Sequence, residues 1–331
     1  MNEGDRPLAG LALRPPRAPH GESGPSPASP SMSEGDHPPF KLAILGPTAS
    51  GKSALAAALA QRLGATVVNG DPFQAYRGLA IGTGQPSPEE RGEVPHLGYG
   101  ELPLTQRLNP QAFGGLVRGW LSDCPRAVLV TGSGLYLRGI WQQLSELPEV
   151  TEAIQDRTRS WCDRLGAPRL HRFLQAVDPQ RAAQLHPNDR SRIQRALALH
   201  LATGRRPSEL LDGVKPGLPE GWKGLLVLPD REALRARIQR RVRAMVEAGW
   251  PEEVQALVRS GQEDLLRELR PLGYLHWLEG GDPRDIEARI VQETQTYAKR
   301  QTTFFRNQWP ELPVWDPEGE GFGEALARLS I

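Results

Sequence analysis

Cysteine is scarce in this chain: Cys124 and Cys162 are the only two among 331 residues. They stand far apart and without a partner motif. That excludes a disulfide framework and a cysteine-built metal site, and predicts reduced thiols in a cytoplasmic protein. Long apolar runs are missing as well. None approaches the roughly 18 residues that a membrane-spanning helix needs, and the N-terminal segment lacks the apolar stretch of a secretory signal, so no membrane partner is expected. Nor is one charge in excess: 40 Lys and Arg against 39 Asp and Glu leave a formal net charge of +1. Global electrostatics therefore selects no partner. No internal repeat is visible. What remains is an ordinary globular composition, 38% hydrophobic and 24% charged, long enough for a sizeable core in one large domain or two.

Residues 1–39 have almost nothing to bury. The stretch PPRAPHGESGPSPASPSMSEGDHPP is rich in Pro, Gly and Ser, and a disordered N-terminal extension is expected there. Met32 lies just before the first strand candidate and is a second candidate for the initiating residue; the intact mass of the native protein distinguishes the two starts. From Lys41 onward, short apolar runs alternate with helical patterns. KLAIL (41–45), ATVVNGD (65–71), RAVLVTG (126–132), KGLLVL (223–228) and PVWD (313–316) are the strand candidates. Strands separated by helices predict an α/β fold with a mostly parallel sheet covered on both faces.

Residues 151–212 interrupt that alternation with a succession of helical patterns, which predicts an all-helical insertion. The expected organisation is an extension (1–39), an α/β core (40–150), the insertion (151–212), and the remainder of the core with C-terminal helices (213–331). Eleven arginines fall between positions 157 and 206, opposed only by Asp163, Asp178 and Asp189. Such a surplus reads either as a nucleic-acid face or as a solvated surface.

One stretch carries explicit chemistry. GPTASGKSALA (46–56) fits G-x-x-x-x-G-K-[ST], with an apolar run before it and an Ala/Leu-rich helix former after it. In such a phosphate-binding loop, backbone N–H groups and the helix N-terminus cradle phosphates. Gly46, Pro47, Thr48, Ala49, Ser50, Gly51, Lys52 and Ser53 form the expected cradle. Lys52 supplies a point charge and the Ser53 hydroxyl binds Mg²⁺. This makes the core P-loop NTPase-like. NTPases of this type also hold the metal with an acidic residue at a second strand end, but AVLV (127–130) runs into TGSGLY with no carboxylate. The nearest strand-end acid is Asp71, which at that edge faces the phosphate crevice. It holds a metal through water, accepts a proton from a nucleophile, or caps the next helix; next to Lys52 it is expected to stay ionised. His96 and His186 have no second ligand at metal-binding spacing, so no zinc site is expected.

Several stretches, in order, resemble one family. After GPTASGKS come NGDPFQAYRGLAIGTGQPS (69–87), VPHLG (94–98), TGSGLY (131–136) and HPNDRSRIQRAL (186–197). DREALRARIQRRVRAMVEAGWPEEV (230–254), LRPLGY (269–274) and TQTYAKRQTTFFRNQ (294–308) follow. The chain resembles the tRNA dimethylallyltransferases over about residues 41–316. That resemblance implies transfer of a dimethylallyl group from dimethylallyl diphosphate to N6 of the adenosine 3′-adjacent to the tRNA anticodon. By the same resemblance the loop grips a prenyl diphosphate, Asp71 takes the proton of the nucleophilic amine, and Ser133 and Lys52 assist the leaving group. Arg231 is either a further phosphate clamp or a surface residue at a helix start. The resemblance also implies tRNA contacts at Asp71, Pro72, Phe73 and Gln74, and at Ser191, Arg192, Ile193, Gln194 and Arg195. Further contacts fall between Arg270 and Leu275, including Gly273 and Tyr274, and between Thr294 and Gln301, including Lys299 and Arg300. The latter segment reads either as a backbone-phosphate contact or as an ordinary wet helix face.

Three positions depart from the family pattern. Ser133 replaces a usual Thr, Pro72 a usual Ser, and Leu275 a usual basic residue. A monomer is expected. Rival readings are a transferase that prenylates free AMP, a small-molecule or nucleoside kinase, and a non-catalytic RNA-binding protein with a vestigial loop.

Overall fold

The computed structural model describes residues 38–141, 147–211 and 217–331. Apart from Pro38 and Pro39, the expected N-terminal extension lies outside the described residues. The core is a six-stranded sheet: β1 (Phe40–Leu45), β2 (Thr66–Asn69), β3 (His96–Leu97), β4 (Arg126–Thr131), β5 (Trp222–Val227) and β6 (Val314–Trp315). All pairings are parallel, in the order β3-β2-β4-β1-β5-β6. The expected α/β class with a parallel sheet is what the molecule has. Five strands fall where apolar runs predicted them; β3, only two residues long, left no apolar run to read.

The central strands are continuous apolar runs because both faces are covered. Leu42, Ile44, Val128, Leu225 and Val227 point to one side, against Leu55 and Leu59 of the helix Lys52–Leu63. Ala43, Leu45, Leu129 and Leu226 point to the other, against Phe113, Phe305 and Trp309. Leu45 is paired with Thr131 on β4 and Leu226 on β5. The carboxyl ends of these strands thus lie level. The chain from β1 passes over β4 to reach β2, so the strand order reverses beside β1, which is where α/β sheets open a ligand crevice.

Between Glu152 and Leu210 the described chain holds five helices and no strand. They enclose their own core of Cys162, Leu170, Leu174, Leu185, Ile193 and Leu197. Asp178 and Asp189 cap two of them by accepting from Arg181 N and Arg192 N.

Towards the C-terminus, the helix Pro283–Gln308 is 26 residues long, about 39 Å at 1.5 Å per residue. Its buried stripe is Ile286, Ile290, Thr294, Ala298, Gln301 and Phe305. Those steps of three and four follow the helical period, and the stripe passes directly across the carboxyl end of the sheet.

Candidate active site

The loop after β1 needs glycine for two separate reasons. A Cβ on Gly46 would sit 2.4 Å from the carbonyl oxygen of Val227, inside any contact distance. Gly51 takes φ 91° immediately before the helix Lys52–Leu63, in the left-handed region that side chains avoid. Ala49 shares that region at φ 61° without being glycine. Together these turns aim the N-terminus of the helix at a cavity of about 300 Å³.

Thr48, Lys52 and Ser53 of the loop line this cavity, with Asp71, Phe73 and Gln74 after β2 and Thr131 and Gly132 after β4. Arg241, Val242, Met245, Trp250, Arg270, Leu272, Thr294 and Tyr297 complete most of the wall. One cavity therefore joins a cationic, hydroxyl-bearing loop to an apolar surface, with Asp71 as its one carboxylate.

Asp71 is held on three sides. Asn69 accepts from its backbone N–H at 2.7 Å, donates to its carbonyl at 2.8 Å, and donates again to Gly98 O at 2.7 Å. One carboxylate oxygen accepts from Phe73 N at 3.0 Å. Burial pushes the Asp71 carboxyl above its ordinary range, although Lys52, the backbone amides of Phe73 and Gln74, and Arg241 all pull the other way. Lys52 supplies the expected pull towards the ionised form, and desolvation opposes it. Lys52 is lowered to about 8, first by burial and then by the neighbouring Arg241 guanidinium, with Asp71 opposing. Both groups keep partial exposure to the cavity; protein surrounds them elsewhere.

The loop's own amides are partly committed. Thr48 N donates to Gln301 Oε1 at 2.9 Å and Ser50 N to Pro47 O at 3.3 Å. Lys52 Nζ donates to Pro47 O at 3.1 Å. Ser50 is fully buried and its hydroxyl does not line the cavity, unlike those of Thr48 and Ser53.

Several residues expected at an RNA surface are instead internal. Gln301 is 6% exposed and ties the loop to the end of β4, its Nε2 donating to Gly132 O at 2.6 Å. Its neighbours Lys299 and Arg300 face solvent. Tyr274 is fully buried and donates its hydroxyl to Glu253 Oε1 at 2.6 Å. Ile193 belongs to the core of the helical insertion, and Pro72 is buried at the start of a short turn. Gly273 is packed so closely that a Cβ would lie 2.4 Å from Trp250. Ser191, Arg192 and Arg195 are exposed on the helix Arg190–Thr203; Ser191, Gln194 and Arg195 line a separate, smaller hollow. Ser133 stands beside the cavity, its N–H donating to Thr131 Oγ1 at 3.0 Å and its hydroxyl against Tyr297.

Arg231 takes the second of its two readings. It opens the helix Arg231–Glu247, exposed, ten residues or about 15 Å before Arg241, which is the arginine that reaches the cavity. Arg237 lies against Gly51 of the loop and pairs with Glu318 at 2.5 Å. The signal for both was in the sequence. Leu234, Ile238 and Val242 mark the buried stripe of that helix, and Arg237 and Arg241 flank it. Tyr297 likewise sits one position before the buried Ala298.

Replacing Gln301 by leucine leaves Thr48 N and Gly132 O without their partner. The expected loss is about 1–3 kcal/mol of unfolding free energy, measured by urea denaturation. An unchanged midpoint and slope contradicts the tie.

The match to known proteins is extensive. The family described as IPP transferase matches residues 74–308 and the one described as Isopentenyl transferase matches residues 41–95. The chain is similar to a tRNA dimethylallyltransferase of Nitrobacter hamburgensis, 39% identical over 87% of this chain and 92% of that one. It is 42% identical to one of Halorhodospira halophila over 81% and 90%. Among solved structures it is similar to the tRNA isopentenylpyrophosphate transferase of Bacillus halodurans, with TM-score 0.60 and 28% identity over 88% of this chain and 97% of that one. A eukaryotic dimethylallyltransferase acting on tRNA shares the fold at TM-score 0.68 and 23% identity, over 87% and 78%. The chain belongs to the IPP transferase family and is an enzyme of that family.

Proposed function

We propose that this enzyme transfers a dimethylallyl group from dimethylallyl diphosphate to tRNA, at N6 of the adenosine 3′-adjacent to the anticodon. The products are N6-(dimethylallyl)adenosine in tRNA and diphosphate. The observation that carries this reading is the composition of one cavity. Its loop fits a diphosphate, its Val242, Met245, Trp250 and Leu272 fit a short branched hydrocarbon, and Asp71 lines the same cavity as a base.

Cleavage of the allylic C–O bond leaves its electron pair, and negative charge, on diphosphate. Donors already fixed in place lower that barrier most. Lys52, Arg241, the Thr48 hydroxyl and the first amides of the helix Lys52–Leu63 are such donors. The N6 lone pair is delocalised into the adenine ring and is a weak nucleophile. As N6 bonds to the allylic carbon, its acidity rises and Asp71 accepts the proton it sheds. The adenine must first leave the loop stack to enter the cavity. Phe73 and Gln74 line its path; Arg270 adds a cation at the cavity wall. Exposed Ser191, Arg192, Arg195, Lys299 and Arg300 suit phosphate and sugar contacts outside it.

Mg²⁺ fits the donors present, because a hard cation takes oxygen ligands and usually shares them with substrate phosphates. The Ser53 hydroxyl and the Asp71 carboxylate are among the oxygens that line the cavity, with the Thr48 hydroxyl. Ser53 would hold the ion, which neutralises charge on the leaving diphosphate when bound. Removing divalent ions with EDTA is expected to lower turnover by about tenfold or more, with recovery on added Mg²⁺; full activity in EDTA contradicts this.

Lys52 makes the donor's affinity depend on pH. A protonated Lys52 attracts diphosphate, and its pKa of about 8 means the free protein loses that charge as pH rises past this value. Calorimetric titration with dimethylallyl diphosphate between pH 7 and 9.5 is expected to show weakening on the alkaline side, absent in Lys52→Arg. A wild-type affinity independent of pH contradicts the assignment.

Among the described residues no helix is long and apolar enough to cross a membrane, and a cytoplasmic monomer belongs to the same proposal. The reading is tested with labelled dimethylallyl diphosphate offered to unmodified tRNA and to AMP. Label in tRNA alone supports it. Label in AMP alone makes the protein a nucleotide prenyltransferase instead.

A further inference from the structure

Gln74 reaches the cavity from the turn after Asp71, and its side-chain nitrogen is already committed. Nε2 donates to Thr83 O and Gly84 O, each at 3.0 Å. Both amide hydrogens are thereby used, and Oε1 has no partner among the described residues. Its orientation depends on where residues 80–84 sit.

That segment is a single turn: Gly84 N donates to Ile81 O and Gln85 N to Ala80 O, both at 2.9 Å. Such an isolated turn has unsatisfied N–H groups at one end and carbonyls at the other. The carbonyl end holds Gln74. The N–H end is closed from a distant part of the chain by Glu253, on the helix Trp250–Arg259. Glu253 Oε2 accepts from Ala80 N and Ile81 N at 2.8 Å each, and Oε1 accepts from Gly82 N at 3.2 Å and the Tyr274 hydroxyl at 2.6 Å. Packing enforces the same placement, since a Cβ on Gly82 would lie 2.1 Å from the Trp250 indole nitrogen.

We propose that Glu253 is a positioning residue for acceptor selection: it caps the turn that fixes the Gln74 amide with its carbonyl oxygen toward the cavity. This rests on the reading of the cavity as the acceptor-base site. Asp71 and Gln74 then present two hydrogen-bond acceptors together. An exocyclic amine satisfies both with its two N–H groups. A keto group at the same ring position offers only lone pairs and is repelled. The site selects adenine over a keto purine through a carboxylate that touches neither base nor donor.

The test uses anticodon stem-loop RNA carrying adenosine or inosine at the acceptor position, with binding read by fluorescence anisotropy. Wild-type protein is expected to prefer adenosine RNA by about tenfold or more. Glu253→Gln places an amide N–H₂ against backbone donors, and the preference is expected to fall below about threefold. Affinity for dimethylallyl diphosphate is expected to stay as in wild type, which a general loss of structure would not allow. Gln74→Leu, which leaves the Glu253 cap intact, is expected to lose the preference equally. Discrimination retained in Glu253→Gln overturns the role of Glu253 alone. Wild-type protein that binds both RNAs alike overturns the acceptor reading, and this proposal with it.

Discussion

Replacing Asp71 by alanine is expected to lower kcat by about 10²–10⁴-fold, the usual range for a lost general base, while dimethylallyl diphosphate binding is largely kept. The geometry explains both halves. Asn69 brackets the Asp71 backbone, and Phe73 N donates to one carboxylate oxygen, which holds the carboxylate in the cavity wall. Donor binding relies chiefly on cations and amides across the cavity. Asp71→Asn keeps size and an acceptor oxygen but cannot take a proton, so it is expected to fail nearly as badly. Because burial raises the Asp71 pKa, the acid limb of the rate profile lies above the ordinary carboxylate range. Activity rises with pH as Asp71 loses its proton. Single-turnover rates for the two variants across pH provide the check, and unchanged turnover removes Asp71 from the mechanism.

Lys52→Ala is expected to act on the donor instead. The ammonium group is the loop's only side-chain cation, and its charge is little screened inside the cavity. Its loss is expected to cost about 2–4 kcal/mol in kcat/KM, or roughly 30- to 1,000-fold, with a marked rise in donor Kd. Arg241 shares the field, so Arg241→Ala should show a similar but separable defect. Coupling between the two is read from the double variant, since neighbouring charges on one ligand are not additive. Normal donor affinity in Lys52→Ala means that the loop is not the phosphate site.

The features legible in the sequence were those specified by local chemistry. Glycines, lysine and serine at fixed spacing define the loop without help from the rest of the chain, and apolar runs buried on both faces define a parallel sheet. Asp71 was legible because it lies two residues past a strand end. Residues whose role depends on distant partners were not. Gln301 lies 253 positions from Thr48, and a polar side chain in an amphipathic helix does not announce that it faces inward. Tyr274 and Ile193 stood inside recognised motifs, yet the first is pinned by Glu253 and the second fills a helical core. Arg231 was legible only as two alternatives, a phosphate clamp or a surface residue at a helix start, and it lies exposed at that start. The cavity instead takes its arginine from ten residues further on, beside the apolar stripe that fixes how that helix docks.

The central claim is that the loop of Gly46–Ser53 serves prenyl transfer rather than phosphoryl transfer. The most direct measurement is mass spectrometry of nucleosides from unmodified tRNA incubated with the protein, Mg²⁺ and dimethylallyl diphosphate, with ATP in a parallel reaction. The account predicts dimethylallyl-adenosine in the first reaction and none in the second. No modified nucleoside with the diphosphate, together with ADP formed from ATP, would contradict it and assign the loop to a kinase.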